Sequence, residues 1–522
     1  MWKFKILIGA LITVLLFSLI GCSTDKKSSG ESEQTKDKRG DLKIAYSAQP
    51  QTLDPHISLA QATADIMGNV YETLLTVDSN HKIQPMLAES YEQSSDSKTV
   101  TFHLRKGVHF HNGKEMKAAD VVASMNRWKD NIGGRGQFSD AVFEAKDDYT
   151  VVLNLPKPLS TALSIISYQG PSFAAIMPKE IIDQATPTGV KEFVGTGPFK
   201  FVEWKQDQYV SLSRFDDYQS RSEKANGLAG KKEALLNEVK FMFTPDASTR
   251  VAGIQSGEYD FASSVPVDNE NILKSDPNLI PSINPFGYIT VNFNKKKGLF
   301  ANKQARKAVA TALDREKILT GTFKDKKFFT VNDSLMMAQQ KEWSSDVGKD
   351  LYKKSDPEKA KHLLKEAGYD GKEIKIMVTR DYIDHYNAAV IIQSQLEKIG
   401  LNVKLEVYDW PTLLNKTSDP NEYDIYVVID LPVPEPTSNL SLIPGFAGWT
   451  NSPEMLDLVS KIRGLPSLDE AKAQYGELLK WYYDYVPDIK VGDIKKVDYL
   501  RKTVSNYQFQ DRMILWNVTN NK

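Results

Sequence analysis

The segment between residues 371 and 430 alternates strand and helix patterns, and this order restricts the fold more than any other feature of the chain. Apolar residues alternate with polar ones in GKEIKIMVTR, which predicts a strand that ends near Arg380. The next apolar residues recur at helical spacing from Ala388 to Ile399, and Gly400 stops this amphipathic helix. Strand patterns then return in LNVKLEVYDW and in YDIYVVID.

A strand–helix–strand order predicts two parallel strands joined by a right-handed crossover, and therefore an α/β fold. Ligands of parallel α/β sheets bind beyond the carboxyl ends of the strands. In this chain those ends carry Arg380-Asp381, Asp409-Trp410 and Asp430. We therefore expect a ligand site among these residues.

Two further strand patterns lie outside this segment. SKTVTFHLRKGVHFHNG contains alternating Val100, Phe102 and Leu104 and ends in Asn112-Gly113. An Asn-Gly pair favours a tight hairpin turn, so this stretch predicts a strand pair. The last strand patterns, KKVDYLRKTV and QDRMILWNV, have no helix after them, and we expect them to join a sheet formed earlier in the chain.

The N-terminus has the layout of a secretory signal. Lys3 and Lys5 precede 15 uncharged, largely apolar residues that end at Ile20, a run too short to span a bilayer comfortably. Cys22 is the only cysteine among the 522 residues, so it forms no internal disulfide. The letters LIGC that end at Cys22 resemble a bacterial lipoprotein lipobox, which implies a diacylated Cys22 at the mature N-terminus.

This resemblance divides the start of the chain into two parts. Residues 1–21 are expected to be a lipoprotein signal peptide, and residues 22–40 a lipidated cysteine followed by a flexible tether. The tether is rich in Ser, Lys, Asp and Glu and cannot bury a core. Two acyl chains would anchor the protein stably, whereas one chain binds a membrane only weakly.

Charge and length restrict the partners and the number of domains. Lysine and arginine number 66 and aspartate and glutamate 67, a net charge of −1 that becomes −3 after loss of Lys3 and Lys5. This balance gives no reason to expect nucleic acid as a partner. The mature chain of about 500 residues exceeds the size at which one core keeps growing, so we expect two or three domains.

Motifs for catalysis and metal binding are incomplete. GPSFA places Ser172 as in a nucleophile elbow but has Ala174 where that motif needs its second glycine. GxxxxGKS, GxxxxGKT and HExxH do not occur in the sequence. His109 and His111 share one face of a predicted strand, but two ligands fall short of a closed metal site. We therefore predict no catalytic residue, no metal and no cofactor, and a helix-start or surface position for His385.

Seven segments carry a resemblance to a known family. They are QTLDPH, QPMLAESYEQSSDSKTVTFHLRKGVHFHNG, GTGPFKFVEW, RKAVATALDREKI, KAKHLLKEAGYDG, IQSQLEKIGLNVKLE and NSPEMLDLVSKI. Together they resemble the extracellular solute-binding proteins of the peptide/nickel family, the receptors of ABC importers. The resemblance spans roughly residues 42 to 500 in the family's order, behind a lipoprotein signal.

The resemblance implies a two-lobed, periplasmic-binding-protein-like α/β fold that closes over a ligand. Lobe I would consist of residues 41–72, an extra subdomain at 73–190, residues 191–283 and the C-terminal strands at 490–522. Lobe II would be residues 284–489. Chain crossings near Gly287-Tyr288 and near residue 490 would form the hinge.

The resemblance also implies a role for Asp430. Peptide-binding members typically hold the α-ammonium of the ligand with an aspartate at a strand end of lobe II, followed by a short acidic-Pro segment. Asp430 matches this position, and Glu435-Pro436 follows two residues farther away than in the oligopeptide-type pattern. The structural alternative for Asp430 is a cap of the following loop or an ion pair with a nearby lysine or arginine.

Four other residues are candidates for ligand contact. Trp410, Trp449 and Tyr168 suit stacking or apolar side chains. Arg380 suits a bidentate contact with a carboxylate. Core packing of the aromatic residues and an ion pair between Arg380 and a neighbouring aspartate are the structural alternatives.

These observations lead to an expected function. We expect a lipid-anchored, monomeric, non-enzymatic substrate-binding receptor of an ABC importer, which captures short peptides and delivers them to the permease subunits. It would lie on the extracytoplasmic face of the cell membrane, with a Gram-positive bacterium favoured. The alternatives are a receptor for a metal chelate, haem or an oligosaccharide-like solute, and a surface hydrolase.

Replacing Cys22 tests the predicted anchor. Cys22→Ala removes the thiol that would carry lipid, so the protein should retain its signal or appear in the culture medium, with its globular part folded. Labelling with a radioactive fatty acid and cell fractionation measure the outcome, with Ser23→Ala as the control. A Cys22→Ala variant that is processed and membrane-bound like the parent contradicts the lipobox interpretation.

Overall fold

The computed structural model describes residues 40–131, 136–348, 351–352 and 354–522. The predicted signal, Cys22 and nearly all of the predicted tether therefore lie outside the described residues. Over the described part of the chain, each helix is too short or too polar to cross a membrane.

The strands of the described residues are numbered in chain order. They are β1 (Leu42–Tyr46), β2 (Leu75–Val77), β3 (Ile83–Pro85), β4 (Ala88–Gln93), β5 (Thr99–Leu104), β6 (Val142–Asp147), β7 (Thr150–Asn154), β8 (Phe199–Lys205), β9 (Tyr209–Arg214), β10 (Glu238–Phe243), β11 (Phe261–Ala262), β12 (Leu279–Phe293), β13 (Phe329–Thr330), β14 (Ile374–Thr379), β15 (Val403–Tyr408), β16 (Ile425–Asp430), β17 (Asp488–Arg501), β18 (Val504–Ser505), β19 (Gln508–Gln510), β20 (Arg512–Ile514) and β21 (Thr519–Asn520).

The helices of the described residues are numbered in the same way. They are α1 (Gln61–Met67), α2 (Ala118–Asn131), α3 (Ala162–Ile166), α4 (Lys179–Asp183), α5 (Ala247–Ser256), α6 (Glu270–Lys274), α7 (Lys303–Ala312), α8 (Arg315–Phe323), α9 (Pro357–Glu366), α10 (Ile383–Lys398), α11 (Trp410–Lys416), α12 (Pro453–Arg463) and α13 (Leu468–Tyr485).

One mixed sheet runs through most of the molecule. Its strand order is β15-β14-β16-β12-β17-β11-β1-β10-β9-β8, and β13 pairs with β17 beside this path. β14 is parallel to both β15 and β16. β1 is parallel to both β10 and β11. The sheet thus has a parallel group on each side of the β12–β17 pair.

The strand–helix–strand unit predicted from residues 371–430 is confirmed. β14, α10 and β15 follow one another, and the two strands are parallel. Helix α10 buries Ala388, Ile392 and Leu396, which belong to the apolar stripe of the sequence. Packing of this stripe against the sheet explains why the helix forms here.

The long strands β12 and β17 connect the two parallel groups. They pair antiparallel along nearly their whole lengths, with a register shift between Pro285 and Gly287. Tyr499 and Leu500 of β17 pair with β11 as well, so KKVDYLRKTV joins an earlier sheet as the sequence predicts. QDRMILWNV instead supplies β20, which pairs with β19 in a small separate sheet.

A separate antiparallel sheet has the order β4-β5-β7-β6 and is covered by α2, whose Trp128 is buried in the shared core. The strand pair predicted up to Asn112-Gly113 is wrong. Both edges of β5 are taken by β4 and β7, so no edge is left for the residues that follow β5. Those residues instead turn back on themselves at Asn112-Gly113, with an isolated bridge between His109 and Glu115 and a hydrogen bond of 2.8 Å from the Phe110 N–H to the Lys114 carbonyl.

Gly287 offers a test of the crossing between the parallel groups. A Cβ atom at Gly287 would lie 2.4 Å from the backbone oxygen of Asp430, so Gly287→Ala must push β12 away from β16. We expect overpacking to lower the free energy of unfolding by about 1–3 kcal/mol. Urea unfolding measures this loss.

The matched control is Gly476→Ala in α13, where the new Cβ would meet only Val347, at 3.3 Å. Alanine is the better helix former, so we expect this variant to be as stable as the parent or slightly more stable. Equal stability of the Gly287 and Gly476 variants contradicts the interpretation of Gly287.

Candidate functional site

The carboxyl ends of three neighbouring parallel strands meet at one edge of the main sheet. β14 ends at Thr379, β15 at Tyr408 and β16 at Asp430, and β14 lies between the other two. Arg380 directly follows β14, and Trp410 begins the helix after β15. The structure therefore brings the three predicted strand ends together.

Asp430 is half-buried at the last position of β16. Its Oδ2 accepts a hydrogen bond of 2.6 Å from the Thr290 hydroxyl, and Thr290 Oγ1 accepts one of 2.9 Å from the Asn292 amide. Both donors belong to β12, which pairs with β16. The central strand thus holds the carboxylate at the sheet edge.

Glu435 serves the loop that follows Asp430. Its side chain is fully buried and accepts hydrogen bonds from the backbone N–H of Thr437, at 2.7 Å, and from the Ser438 hydroxyl. Arg463 donates to the hydroxyl and the carbonyl of Thr437, at 2.9 and 2.8 Å. Burial lowers the pKa of Arg463, and the nearby Glu435 carboxylate opposes this shift. The Glu435 carboxylate is therefore engaged in capping a 3₁₀ turn.

The two predicted tryptophans pack against the same small cluster under β14 and β16. Trp449 stacks on Tyr423 with ring centroids 6.0 Å apart, and Lys296 Nζ lies 5.4 Å from the Trp449 ring. The backbone N–H of Trp410 donates to Asp381 at 2.7 Å. Both tryptophans keep part of their surface exposed.

Tyr168 and Arg380 occupy different surroundings. The Tyr168 hydroxyl donates to the Pro432 carbonyl at 2.8 Å, which brings it to the loop after Asp430. Arg380 is exposed, donates to the Tyr386 hydroxyl at 2.7 Å and lies over the same ring at 4.2 Å. Arg380 thus contacts the face of α10 rather than an aspartate.

The hydrogen bond of Tyr168 is one of several that join the region of the four-stranded sheet to the loops near α12. The backbone N–H of Ser160 donates to the Arg463 carbonyl at 2.9 Å, and its hydroxyl donates to the Ile462 carbonyl at 2.9 Å. Gln137 donates to Ser438 at 3.1 Å. A pocket beside Tyr168 is lined by both regions. These hydrogen bonds hold the two regions together around the Asp430 loop.

Among the described residues, the incomplete motifs for metal binding and hydrolysis occupy structural positions. His111 accepts a hydrogen bond from the Gly195 N–H at 3.2 Å through Nδ1, and its Nε2 lies 2.9 Å from the Gly197 carbonyl. Within the described ranges, no three His, Cys, Asp or Glu side chains are placed to hold a metal. Ser172 lies in a turn between α3 and an irregular segment, not between a strand and a helix.

Sequence reasoning missed the groups beneath Asp430. Tyr288 pairs with Asp430 in the β12–β16 register, and Lys490 Nζ lies 4.6 Å from the Tyr288 ring. Lys490 also forms an ion pair of 2.7 Å with Asp493, and both side chains are buried. Burial lowers the pKa of Lys490, whereas Asp493 opposes this shift. A lysine three residues before an aspartate gives no local signal of burial, so only the pairing of β17 reveals it.

Comparison with known sequences identifies related proteins. Residues 82–450 match the family model described as bacterial extracellular solute-binding proteins, family 5. The "Probable peptide ABC transporter periplasmic-binding protein y4tO" of Sinorhizobium fredii is 31% identical over 472 residues, 86% of this chain and 88% of that protein. The oligopeptide-binding protein AppA of Bacillus subtilis is 28% identical over 461 residues, 82% of this chain and 80% of AppA.

Solved structures share the fold. The periplasmic binding protein AgaA from A. tumefaciens R10, in complex with agropinic acid, has a TM-score of 0.77 and 28% identity, covering 89% of this chain and 94% of AgaA. DppA from Helicobacter pylori, in complex with the peptide STSA, has a TM-score of 0.78 and 24% identity, covering 93% of this chain and 99% of DppA. The predicted α/β fold of the periplasmic-binding-protein kind is confirmed.

Tyr168 provides a test of the contacts around the Asp430 loop. Tyr168→Phe removes the hydrogen bond to Pro432. The hydrogen bond joins the four-stranded-sheet region to the loop after Asp430. Its loss should lower the population of molecules in which these two regions are in contact, relative to those in which they are apart, by about 2- to 10-fold. Spin labels are placed on cysteines at the exposed positions 140 and 461, one in each region, in a Cys22→Ala background. The distribution of distances between the two labels measures these populations.

The control is Tyr369→Phe. The Tyr369 hydroxyl also donates a hydrogen bond of 2.8 Å, to the Lys372 carbonyl, but this bond joins two residues of the same region. This variant should keep the distance distribution of the parent. Identical distributions for both tyrosine variants contradict a role of Tyr168 in closure.

Proposed function

Because the chain belongs to the bacterial extracellular solute-binding proteins, family 5, we propose that it captures short peptides between two lobes and presents them to the permease of an ABC importer. Y4tO and AppA are named for peptide and oligopeptide binding, and these names support the choice of ligand. AppA has also been solved with a nonapeptide, with a TM-score of 0.74 to this chain.

The Asp430 carboxylate is the observation that carries the proposal. It stands at the carboxyl end of a strand, is half-buried, and is oriented by Thr290. Ligands of parallel α/β sheets bind beyond the carboxyl ends of the strands, where this carboxylate stands. Ionised groups form strong hydrogen bonds with a carboxylate, so the α-ammonium of a free peptide N-terminus suits this position.

The lobes proposed for this chain keep the boundaries expected from its sequence. Lobe II is residues 284–489, and the remaining parts from residue 41 onward form lobe I with its extra subdomain at 73–190. The register shift at Gly287 supports a hinge there. The hydrogen bond from Tyr168 to Pro432 would then cross the ligand cleft.

The anchor and the remaining contacts are part of the same proposal. Lipid on Cys22 would hold the receptor at the extracytoplasmic face of a Gram-positive cell membrane, close to its permease. Trp410, Trp449 and Tyr168 would line the cleft. Arg380, whose guanidinium is exposed beside Tyr386, would meet a ligand carboxylate.

A small non-peptide solute is the second candidate ligand. AgaA, which is similar to 89% of the present chain, was solved with agropinic acid. Native mass spectrometry of the purified protein distinguishes the candidates, since a co-purified peptide has a residue-by-residue fragmentation pattern and an organic acid does not. A substrate cleaved during incubation would instead favour a surface hydrolase.

Replacing Asp430 tests recognition of the peptide amine. Removing one partner of a buried, hydrogen-bonded charge pair costs about 2–5 kcal/mol, so Asp430→Asn should weaken binding of a tripeptide by about 30-fold to several thousand-fold. Acetylation of the peptide N-terminus should weaken binding to the parent by a similar factor. It should have little further effect on Asp430→Asn, because the same interaction is already lost.

Calorimetry on both proteins with both peptides forms a double-mutant cycle. Asp457→Asn, an exposed carboxylate of α12, is the control and should bind like the parent. If the losses of binding free energy caused by acetylation and by Asp430→Asn simply add, Asp430 does not hold the peptide amine. If no unmodified peptide binds the parent, the proposed ligand class is wrong.

A further inference from the structure

A group of aromatic and acidic side chains lies beside Asp430, at the carboxyl ends of β14 and β15. We call it the acidic aromatic corner: Asp381, Tyr382, Asp384, His385 and Trp410. The Trp410 ring stands nearly perpendicular to those of Tyr382 and His385, with centroids 5.4 and 5.6 Å away. Tyr382 keeps 42% of its surface exposed. An aromatic ring at this edge of the sheet is therefore open to a ligand.

Two pKa shifts link the corner electrostatically to groups that lie on the other side of β17 in the sheet order. Burial and Asp65 raise the pKa of Tyr46, at the end of β1, and Tyr382 adds to this shift. Burial raises the pKa of Asp384 to about 6, and Asp268, which follows β11, contributes to the shift. The corner is thus electrostatically linked to Tyr46 and Asp268, which belong to the proposed lobe I.

The corner has negative charge and, among the described residues, no cation paired with its carboxylates. In the described ranges, no ion pair reaches Asp268, Asp381 or Asp384, and the nearest arginine in sequence, Arg380, is engaged with Tyr386. His385 is only 5% exposed, and burial lowers its pKa to about 3, so the imidazole is neutral. Its Nδ1 has no hydrogen-bond partner among the described residues. A carboxylate partly buried without a cation is costly, and a ligand cation would relieve this cost.

We propose that the acidic aromatic corner is a subsite for a cationic side chain of the ligand, so that this receptor selects short peptides that contain lysine or arginine. The assignment rests on the proposed function, since it needs a peptide in the cleft. An ammonium or guanidinium group is attracted to the faces of tyrosine and tryptophan rings. The carboxylates of Asp381 and Asp384 neutralise its charge.

The spacing of the strands fits a peptide held at Asp430. Adjacent strands lie about 4.8 Å apart, so β15 is about 10 Å from β16. One peptide unit adds about 3.8 Å between Cα atoms, and an extended lysine side chain reaches farther still. With its amine at Asp430, a peptide would therefore bring the second or third side chain to the corner.

Four tripeptides test the subsite. They carry lysine or norleucine at position two or three of an otherwise all-alanine chain with a free N-terminus. Norleucine keeps the four-carbon side chain and removes the charge. Calorimetry on the full chain should show the lysine peptide binding about 3- to 30-fold more tightly than its norleucine counterpart at one of the two positions.

Two variants test whether the preference for lysine over norleucine arises at the acidic aromatic corner. Asp384→Asn and Trp410→Leu should each reduce the ratio of lysine to norleucine affinity towards one. Asp384→Asn should leave the norleucine affinities within about 2-fold of the parent, since it changes a charge and little shape. The control Asp457→Asn should keep the parental ratio. Thermal unfolding of each variant verifies that it is folded, and Asp384→Asn remains informative if Trp410→Leu unfolds.

The outcomes separate this inference from the function on which it rests. Equal affinities for lysine and norleucine at both positions overturn the cationic subsite while leaving peptide binding in place. A parental ratio in Asp384→Asn overturns the assignment to this corner. If none of the four peptides binds, the proposed peptide function fails, and the subsite fails with it.

Discussion

The antiparallel pairing of β12 with β17 is the constraint on which the rest of the structure depends. β12 pairs with β16 of one parallel group and β17 pairs with β11 of the other, so each group is oriented relative to the other through the β12–β17 ladder. The register shift at Gly287 lies where β12 passes the end of β16, and the missing Cβ lets the Asp430 backbone approach. The same few residues therefore set both the geometry at which β12 passes between the two parallel groups and the position of the Asp430 carboxylate, which is the candidate ligand-binding group.

Two ion pairs lie inside the proposed lobe I: Lys232 meets Glu72 at 2.9 Å, and Arg127 meets Asp54 at 2.6 Å. Pairing of this kind compensates the loss of water around both groups. Asp384, in the first turn of the helix after β14, is partly buried, and both this burial and Asp268 raise the pKa of its carboxyl group. The contrast separates charges that serve the fold from charges that suit a cationic ligand.

Several residues of the candidate site could be predicted from local pattern alone. Asp430 and Trp410 follow strand patterns, and the rule that ligands bind at the carboxyl ends of parallel strands selects them without a structure. Thr290 could not be predicted in this way, because a threonine inside an apolar strand pattern has no signal for its partner. The role of Glu435 was equally hidden, since a cap is recognised by its hydrogen bonds and not by its spacing from Asp430.

The sequence by itself determined the α/β class, the strand–helix–strand unit and the strand ends at which a ligand is expected, because hydrophobic periodicity and glycine stops are local properties. Only the tertiary structure decided which strands are neighbours. It paired β5 with β4 and β7 instead of with the residues near Asn112, and it brought Tyr168 to Pro432 across 264 positions of the chain. Such contacts depend on which sheet edges remain free and on how distant segments pack, and no local pattern encodes either.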